Sequence, residues 1–388
     1  MDKAVLTTQT RYGEMTFFEN DTPVGASLKQ YGEWAQFELN ILLSLVRAGD
    51  TIVDVGANIG THTVAFSQVV TDQGQVISFE PQPAVADMLR HNIRANDLRG
   101  VVVHQKGVAD TKGFMHIELP TYDMKANVGA ATLSKEASAN SLKVAVTKLD
   151  ALGLRKCRLI KIDSEGMGIR VLQGASELIR ETGPFVSLEL DEIGEVQDIF
   201  DFFRAREYHM VFFECPAFNV DNFAGANDNF FGVASEGMLL AVPVRERIVL
   251  EEVRRVGTLV QDSAQLRRLV YEIPRFGDEE PYDRKANVLK ALLHQSQNRA
   301  ELMESISSDE KNRADALVET ISVKEAEMAM LREEMKRAQY REALLRDRVT
   351  YLENSRSPLA IHSRELEAVY NSTSWRITAP LRKLRQLF

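Results

Sequence analysis

Residues 51–63, TIVDVGANIGTHT, run a short apolar stretch into a turn with two glycines and then into a helical pattern. A buried strand that turns straight into a helix is a unit of layered sheets with parallel strands. The alternation repeats along the chain. TIVDV (51–55), QVISF (75–79), VVVHQ (101–105), RLIKI (158–162) and FVSLEL (185–190) read as strands. Helical patterns fill 60–70, 83–96, 167–181 and 195–206, and an earlier helix is predicted over 33–48 from Trp34, Phe37, Leu39, Leu42, Leu45 and Val46. The expectation is a Rossmann-like, doubly wound and mostly parallel sheet.

Two stretches interrupt this rhythm. Residues 113–148, which include KVAVTKL, read as an insertion near the sheet. Residues 208–243 carry three β-like runs, YHMVFF, NFFGVA and MLLAVP, which suit an antiparallel pair finishing a seven-stranded sheet. Residues 1–30 are mixed and resist assignment, and 244–295 look helical without a chemical motif. From 296 to 355 there is neither glycine nor proline, and a seven-residue register can be written. Ile321, Met328, Met335 and Val349 take one seam position and Leu331, Ala338, Leu345 and Leu352 the other, with Lys324 and Glu342 as interruptions. The expected layout is an N-terminal segment at 1–30, a catalytic domain at 31–243, a helical linker at 244–295, a coiled coil at 296–355 and a basic amphipathic tail at 356–388.

The glycine turn carries the first chemical signal. Gly56 and Gly60 allow close backbone approach, and the helix that follows offers free N–H groups to an anion. Asp54 at the loop start suits a positively charged amino group. Glu80, 26 residues later in FEP (79–81), ends the second strand, where a carboxylate can accept from both hydroxyls of a ribose. Alone, these glycines also serve as plain turn residues and Asp54 as a cap. A dinucleotide such as NAD is the rival ligand. Asn58 stands where a pyrophosphate wants the middle glycine, which favours the phosphate-free S-adenosylmethionine, whose carboxylate would meet the helix.

DVGANIG (54–60), FEP (79–81), KLDAL (148–152), IKIDSEG (160–166), VLQGA (171–175), SLEL (187–190), PAFNVDNF (216–223) and LLAVP (239–243) follow one another in an order that resembles FkbM-type methyltransferases. The resemblance spans about 30–243. It implies the class I methyltransferase fold, S-adenosylmethionine as methyl donor and an oxygen as acceptor. By position it makes Asp54, Gly56, Asn58, Gly60 and Glu80 cofactor-binding, and it matches Asp163, Glu165 and Gly166 to the motif ending the fourth strand. The chain departs from the family at Gly168, where a second acidic residue is common. The tail, STSWRITAPLR, resembles the ends of bacterial cell-surface polysaccharide glycosyltransferases.

Methyl transfer to a sugar hydroxyl needs an aligned, desolvated acceptor and a group that takes its proton. Asp163 is the first candidate at the transfer centre, although it also suits an N-cap for 167–181. His62 is a candidate base, or a residue that packs the loop helix. Glu165 faces the acceptor or solvent. Lys161, between Ile160 and Ile162, suits a sheet-lining cation paired with a carboxylate. Asp163 with Glu189 or Asp191 offers oxygens to Mg²⁺, so the metal requirement stays open. Asp110, after the third strand, is placed near the adenine or on a surface turn. The other histidines are scattered without ligand spacing.

The formal net charge of −9 and pI of about 5.5 give no reason to expect nucleic acid. Cys157 and Cys215 are the only cysteines, which speaks against zinc and fits a reducing compartment. The first residues lack a signal peptide's apolar core. The expectation is a cytoplasmic protein with a carbohydrate acceptor, which self-associates through the coiled coil unless 296–355 is a single solvated helix, and whose basic tail either lies on the inner membrane face or docks as an ordinary amphipathic helix. The predicted function is an S-adenosylmethionine-dependent O-methyltransferase acting on a sugar hydroxyl of a bacterial surface polysaccharide or related glycoside. The alternative is a non-catalytic cofactor-binding scaffold in a glycan-assembly complex.

Overall fold

The computed structural model describes residues 4–119, 126–129, 131–138, 141–190 and 193–275. The coiled-coil register, the basic tail, the helical reading of 276–295 and Asp191 lie outside these residues. The chain divides into two units, Met1–Ala286 and Asn287–Phe388, and the described residues all belong to the first.

The chain opens with a hairpin, β1 (Val5–Thr10) and β2 (Gly13–Phe18), then α1 (Val24–Tyr31) and α2 (Gln36–Ser44). The helix predicted over 33–48 is shorter because Ala35 takes a left-handed φ of 49° just before it. Next come β3 (Thr51–Val55), α3 (Thr61–Val70), β4 (Gln75–Phe79), α4 (Pro83–Ala95) and β5 (Val101–His104), close to the predicted spans. The insertion supplies β6 (Gly107–Val108), β7 (Gly113–Glu118), β8 (Leu133–Ser134) and β9 (Ser141–Thr147), which form a separate sheet in the order β6-β9-β7-β8. Then follow β10 (Leu159–Ile162), α5 (Gly168–Gly174), α6 (Ser176–Thr182), β11 (Phe185–Glu189) and α7 (Val196–Arg204). The predicted single helix over 167–181 is broken at Ala175. β12 (Tyr208–Pro216), β13 (Ser235–Pro243), α8 (Arg247–Val253), β14 (Thr258–Leu259) and α9 (Ser263–Glu272) complete the described residues.

The main sheet has the order β14-β12-β13-β11-β10-β3-β4-β5. The five strands from β11 to β5 are parallel, and β12 and β13 form the expected antiparallel pair. NFFGVA (229–234) is not a strand; it lies in the loop between them. A two-residue eighth strand, β14, comes from the stretch read as purely helical. The seven long strands and their order are those of a class I methyltransferase sheet.

Both faces of the sheet are covered, which is why the central strands read as unbroken apolar runs. Val53, Val55, Ile160, Ile162, Val186 and Leu188 pack toward α5, α6, α7 and α9. Ile52, Val76, Leu159, Phe185 and Leu240 pack toward α2, α3 and α8. Chain order reverses between β3 and β10, so the two halves diverge there and leave a crevice at the strands' carboxyl ends. The hairpin closes over α4 through the fully buried Asn92. Its amide accepts from Thr16 N–H and donates to the carbonyls of Thr16 and Ile59, tying the N-terminus to the glycine turn.

Candidate active site

The turn after β3 is shaped by its neighbours. Gly56 has φ +80°, and a Cβ there would lie 1.6 Å from the carbonyl oxygen of Asp163. The glycine is therefore required by the end of β10, a different reason from the close ligand approach expected from sequence. Gly56 and Ala57 both donate to the carbonyl of Phe79, 3.0 Å away in each case. Asn58 sits at φ 49°, a left-handed conformation that asparagine tolerates well, and its Oδ1 accepts from Ile59 N–H. Gly60, at φ +99°, leaves room for Leu89.

Glu80 stands immediately after β4, facing this turn. Its Oε2 accepts from Asn58 N–H (3.1 Å) and its Oε1 from Gln82 N–H (2.8 Å). Burial pushes its carboxyl up to about 7, against the two N–H groups, with the charges of Asp163 and Asp54 adding to the rise. The Gln82 amide donates to the carbonyl of Val128. The carboxylate of Asp21, from the N-terminal region, holds Val128 N–H and Gly25 N–H. Burial pushes Asp21 up to about 6. The sheet insertion and the N-terminus thereby meet over the cleft. Its volume is about 910 Å³ including the open mouth, and Asn58, Glu80, Gln82, Asn127 and Gly129 are among the residues on its wall.

The other end of the cleft is acidic. Asp54 on β3, Lys161 on β10 and Ser187 on β11 are in register and share the face toward α2 and α3. One step further along, Asp163, Glu189 and Glu236 reach the cleft wall. Lys161 Nζ lies 2.7 Å from Asp163 Oδ2; the lysine side chain is 3% exposed, the aspartate 36%. Burial works against the lysine's charge, but the carboxylates of Asp163, Asp54 and Glu38 outweigh it and raise its pKa. Burial pushes Asp163 up, yet Lys161 and a hydrogen bond with Glu189 hold it below the usual carboxylate range. Glu189 is driven well above that range by burial and by the charges of Asp163 and Glu236. Burial, Glu38 and Asp163 push Glu236 up to about 8. The shifts therefore favour an ionised Asp163 beside glutamic acids that keep their protons to higher pH than usual, and a protonated carboxyl can donate a hydrogen bond as well as accept one.

Residues 54–210 match the sequence model of the family described as the methyltransferase FkbM domain. This stretch of the chain is similar to the FkbM methyltransferases. It is 28% identical over 163 residues to the hexuronic acid methyltransferase AglP of Haloferax volcanii, covering 42% of this chain and 64% of that one. It is 28% identical over 157 residues to the methyltransferase sdnD of Sordaria araneosa, covering 32% of this chain and 60% of that one. The chain thus spans less than two thirds of these curated relatives. A methyltransferase FkbM from Methylobacillus flagellatus KT overlays with a TM-score of 0.35 at 17% identity, covering 51% of this chain and 45% of that chain.

Within the stretch that matches the FkbM model the predicted site residues divide. Gly56, Asn58, Glu80, Asp163 and Glu165 line the cleft, whereas Asp54, Gly60, His62 and Asp110 are absent from its wall. Asp54 is fully buried beneath the turn; Oδ2 accepts from the Thr63 hydroxyl (2.6 Å), and Oδ1 has no hydrogen-bond partner among the described residues. His62, read as a candidate base, is buried with Nε2 directed at Glu38, 3.4 Å from its Oε2. Asp110, read as an adenine contact, is held by Arg170 at 2.6 and 2.9 Å. A Cβ on Gly168 would lie 3.1 Å from Glu195 Oε2, which accepts from Ile169 N–H. A carboxylate from 193–195 therefore stands beside the position where the family's acidic residue is missing. Among the described residues no three acidic, histidine or cysteine side chains converge on a metal centre.

Glu236, Glu38, Gln82, Trp34 and Asp21 were not legible as site residues. Glu236 precedes MLLAVP and reads as a strand flank; only the antiparallel return of β13 beside β11 brings it to Glu189. Gln82 did lie within two residues of a recognised motif, which was the one available signal.

Proposed function

We propose that the FkbM domain is an S-adenosylmethionine-dependent O-methyltransferase whose acceptor is a sugar hydroxyl of a surface polysaccharide or related glycoside. The observation that carries this reading is the pairing of Glu80, bound to the glycine turn, with the ionised Asp163 in one cleft. The donor set suits the cofactor. A carboxylate has about four acceptor sites, and Glu80 spends one on each of two N–H groups, leaving capacity for ribose hydroxyls. Asp54, fully buried beneath the turn with no hydrogen-bond partner for Oδ1 among the described residues, adds negative charge under the site for an amino group. When bound, the sulfonium cofactor supplies an activated methyl group.

The chain's own residues orient the acceptor and move its proton. Asp163, whose carboxylate form Lys161 favours, would take the proton of the acceptor hydroxyl. Glu165, on the same wall, orients neighbouring hydroxyls. Similarity to a hexuronic acid methyltransferase supports a carbohydrate acceptor. Self-association through 296–355 and contact of 356–388 with an anionic membrane face near glycan assembly belong to the same reading. Among the described residues no helix is long and apolar enough to cross a membrane.

Calorimetry with S-adenosylhomocysteine, followed by transfer of a radiolabelled methyl group to isolated surface glycan, tests the reading. Binding together with label in the glycan supports it. A chain that fails to bind S-adenosylhomocysteine sinks it.

A further inference from the structure

The acceptor end of the cleft carries information about which sugar it takes. Trp34 lies on the wall of the same cleft as Asp163, Glu189 and Glu236. Its position is fixed from behind and from below. Phe231, buried, packs on the indole at 5.9 Å between ring centroids, and Phe230 stacks in turn on Tyr31 at 5.2 Å. The preceding residue, Glu33, is buried and gathers distant pieces of chain. Its carboxylate accepts from Arg11, from the Asn219 amide and from Phe223 N–H, and its carbonyl accepts from Ser27. The loop between β12 and β13 thus exists, at this point, as a backing for one partly exposed indole. An aromatic ring on the wall of a polar cleft presents a flat apolar face. A pyranose offers the complement, with C–H groups on one face and hydroxyls around the rim.

The charges on the wall are one-sided. Glu80, Asp163, Glu165, Glu189 and Glu236 are acidic, and among the described residues Lys106 is the only cation lining the cleft. Lys106 follows β5, on the opposite side of Glu80 from β11 and β13. Lys161 is buried and already paired with Asp163. Among the described residues, a carboxylated sugar entering beside Glu189 and Glu236 would meet no unpaired cation, and would add a desolvated negative charge beside the carboxylate of Asp163. A neutral hydroxyl would find both donors and acceptors.

We infer that this end of the cleft takes an uncharged sugar, its C–H face on Trp34 and its hydroxyls on the carboxyls of Glu189 and Glu236, and turns away a uronate. The inference rests on the methyltransferase reading and deepens it. It separates this chain from the relative named for hexuronic acid, since the discrimination comes from this chain's own wall. The exclusion of the wrong substrate works through the cost of a second desolvated charge beside Asp163 as much as through fit.

The test uses the full-length chain and radiolabelled S-adenosylmethionine. The acceptors are the methyl glycosides of glucose, galactose, mannose and rhamnose, and those of glucuronate, galacturonate and mannuronate. S-adenosylhomocysteine binding is measured first for every variant, so that a folding or cofactor defect shows itself separately. The strongest neutral glycoside is expected to exceed the strongest uronate by at least roughly tenfold in kcat/KM. Trp34→Ala is expected to raise the KM for the neutral glycoside with a smaller change in kcat, and Trp34→Phe to restore it. Glu236→Lys is expected to narrow the gap between the two classes. A uronate used as well as or better than every neutral glycoside overturns the inference. So does label in none of the neutral glycosides by a chain that binds S-adenosylhomocysteine. Failure to bind S-adenosylhomocysteine overturns instead the cofactor reading on which the inference stands.

Discussion

The carbonyl oxygen of Asp163 presses on Gly56 so closely that no side chain fits between them. The turn after β3 and the end of β10 are in this way one unit, and the residue proposed to take the acceptor's proton is positioned by the loop proposed to hold the cofactor. Gly56→Ala therefore meets both a left-handed backbone and a backbone clash that cannot swing aside. The expected outcome is destabilisation of about 2–4 kcal/mol, read as a lowered Tm. Gly60→Ala is expected to cost less, because the neighbour it meets is the flexible end of Leu89.

Glu80→Ala removes the acceptor for two N–H groups as well as the proposed ribose contact. Affinity for S-adenosylhomocysteine is expected to fall by about 2–3 kcal/mol, measured by calorimetry. Glu80→Gln keeps one carbonyl acceptor and is expected to fall between the two. Unchanged binding in Glu80→Ala would remove this residue from the cofactor site.

Lys161→Met leaves Asp163 and Asp54 without their buried cation. Breaking a buried pair costs about 3–5 kcal/mol. If the variant folds, the acid limb of its pH–rate profile is expected to move upward, because Asp163 is no longer held low by the ammonium. Asp163→Asn is expected to keep S-adenosylhomocysteine binding and lose turnover. Full activity in that variant would assign proton transfer to another group.

Glu236 has a folded pKa of about 8 against an ordinary value of 4.5, so the folded chain holds a proton there that the unfolded chain releases. Its contribution to stability is full below about 4.5 and is lost as pH rises toward about 8. Glu80 acts in the same direction up to about 7. The Tm is therefore expected to fall between about pH 4.5 and 8, and Glu236→Gln to flatten that fall. A variant whose Tm declines as steeply as the parent's would show that Glu236 is not protonated in the folded chain.

The repeating strand–helix pattern, the glycine turn, Glu80 and Asp163 were legible in the amino-acid sequence because each is written locally. A buried parallel strand must be apolar on both faces, a left-handed turn must carry glycine or asparagine, and a strand-end carboxylate stands beside its strand. His62 and Asp110 have the right chemistry in the right neighbourhood, but a side chain's direction is set by what packs against it. Glu38 and Arg170 turned them elsewhere. Glu236 and Trp34 come from segments far apart in the chain and meet at the cleft only because β13 returns antiparallel and the N-terminus, through the buried Asp21, folds over the insertion. Local pattern determined the scaffold and the cofactor end. The acceptor end was decided by tertiary structure, because burial and the company of other charges fix which carboxyls keep their protons, and neither is encoded by any one stretch of sequence.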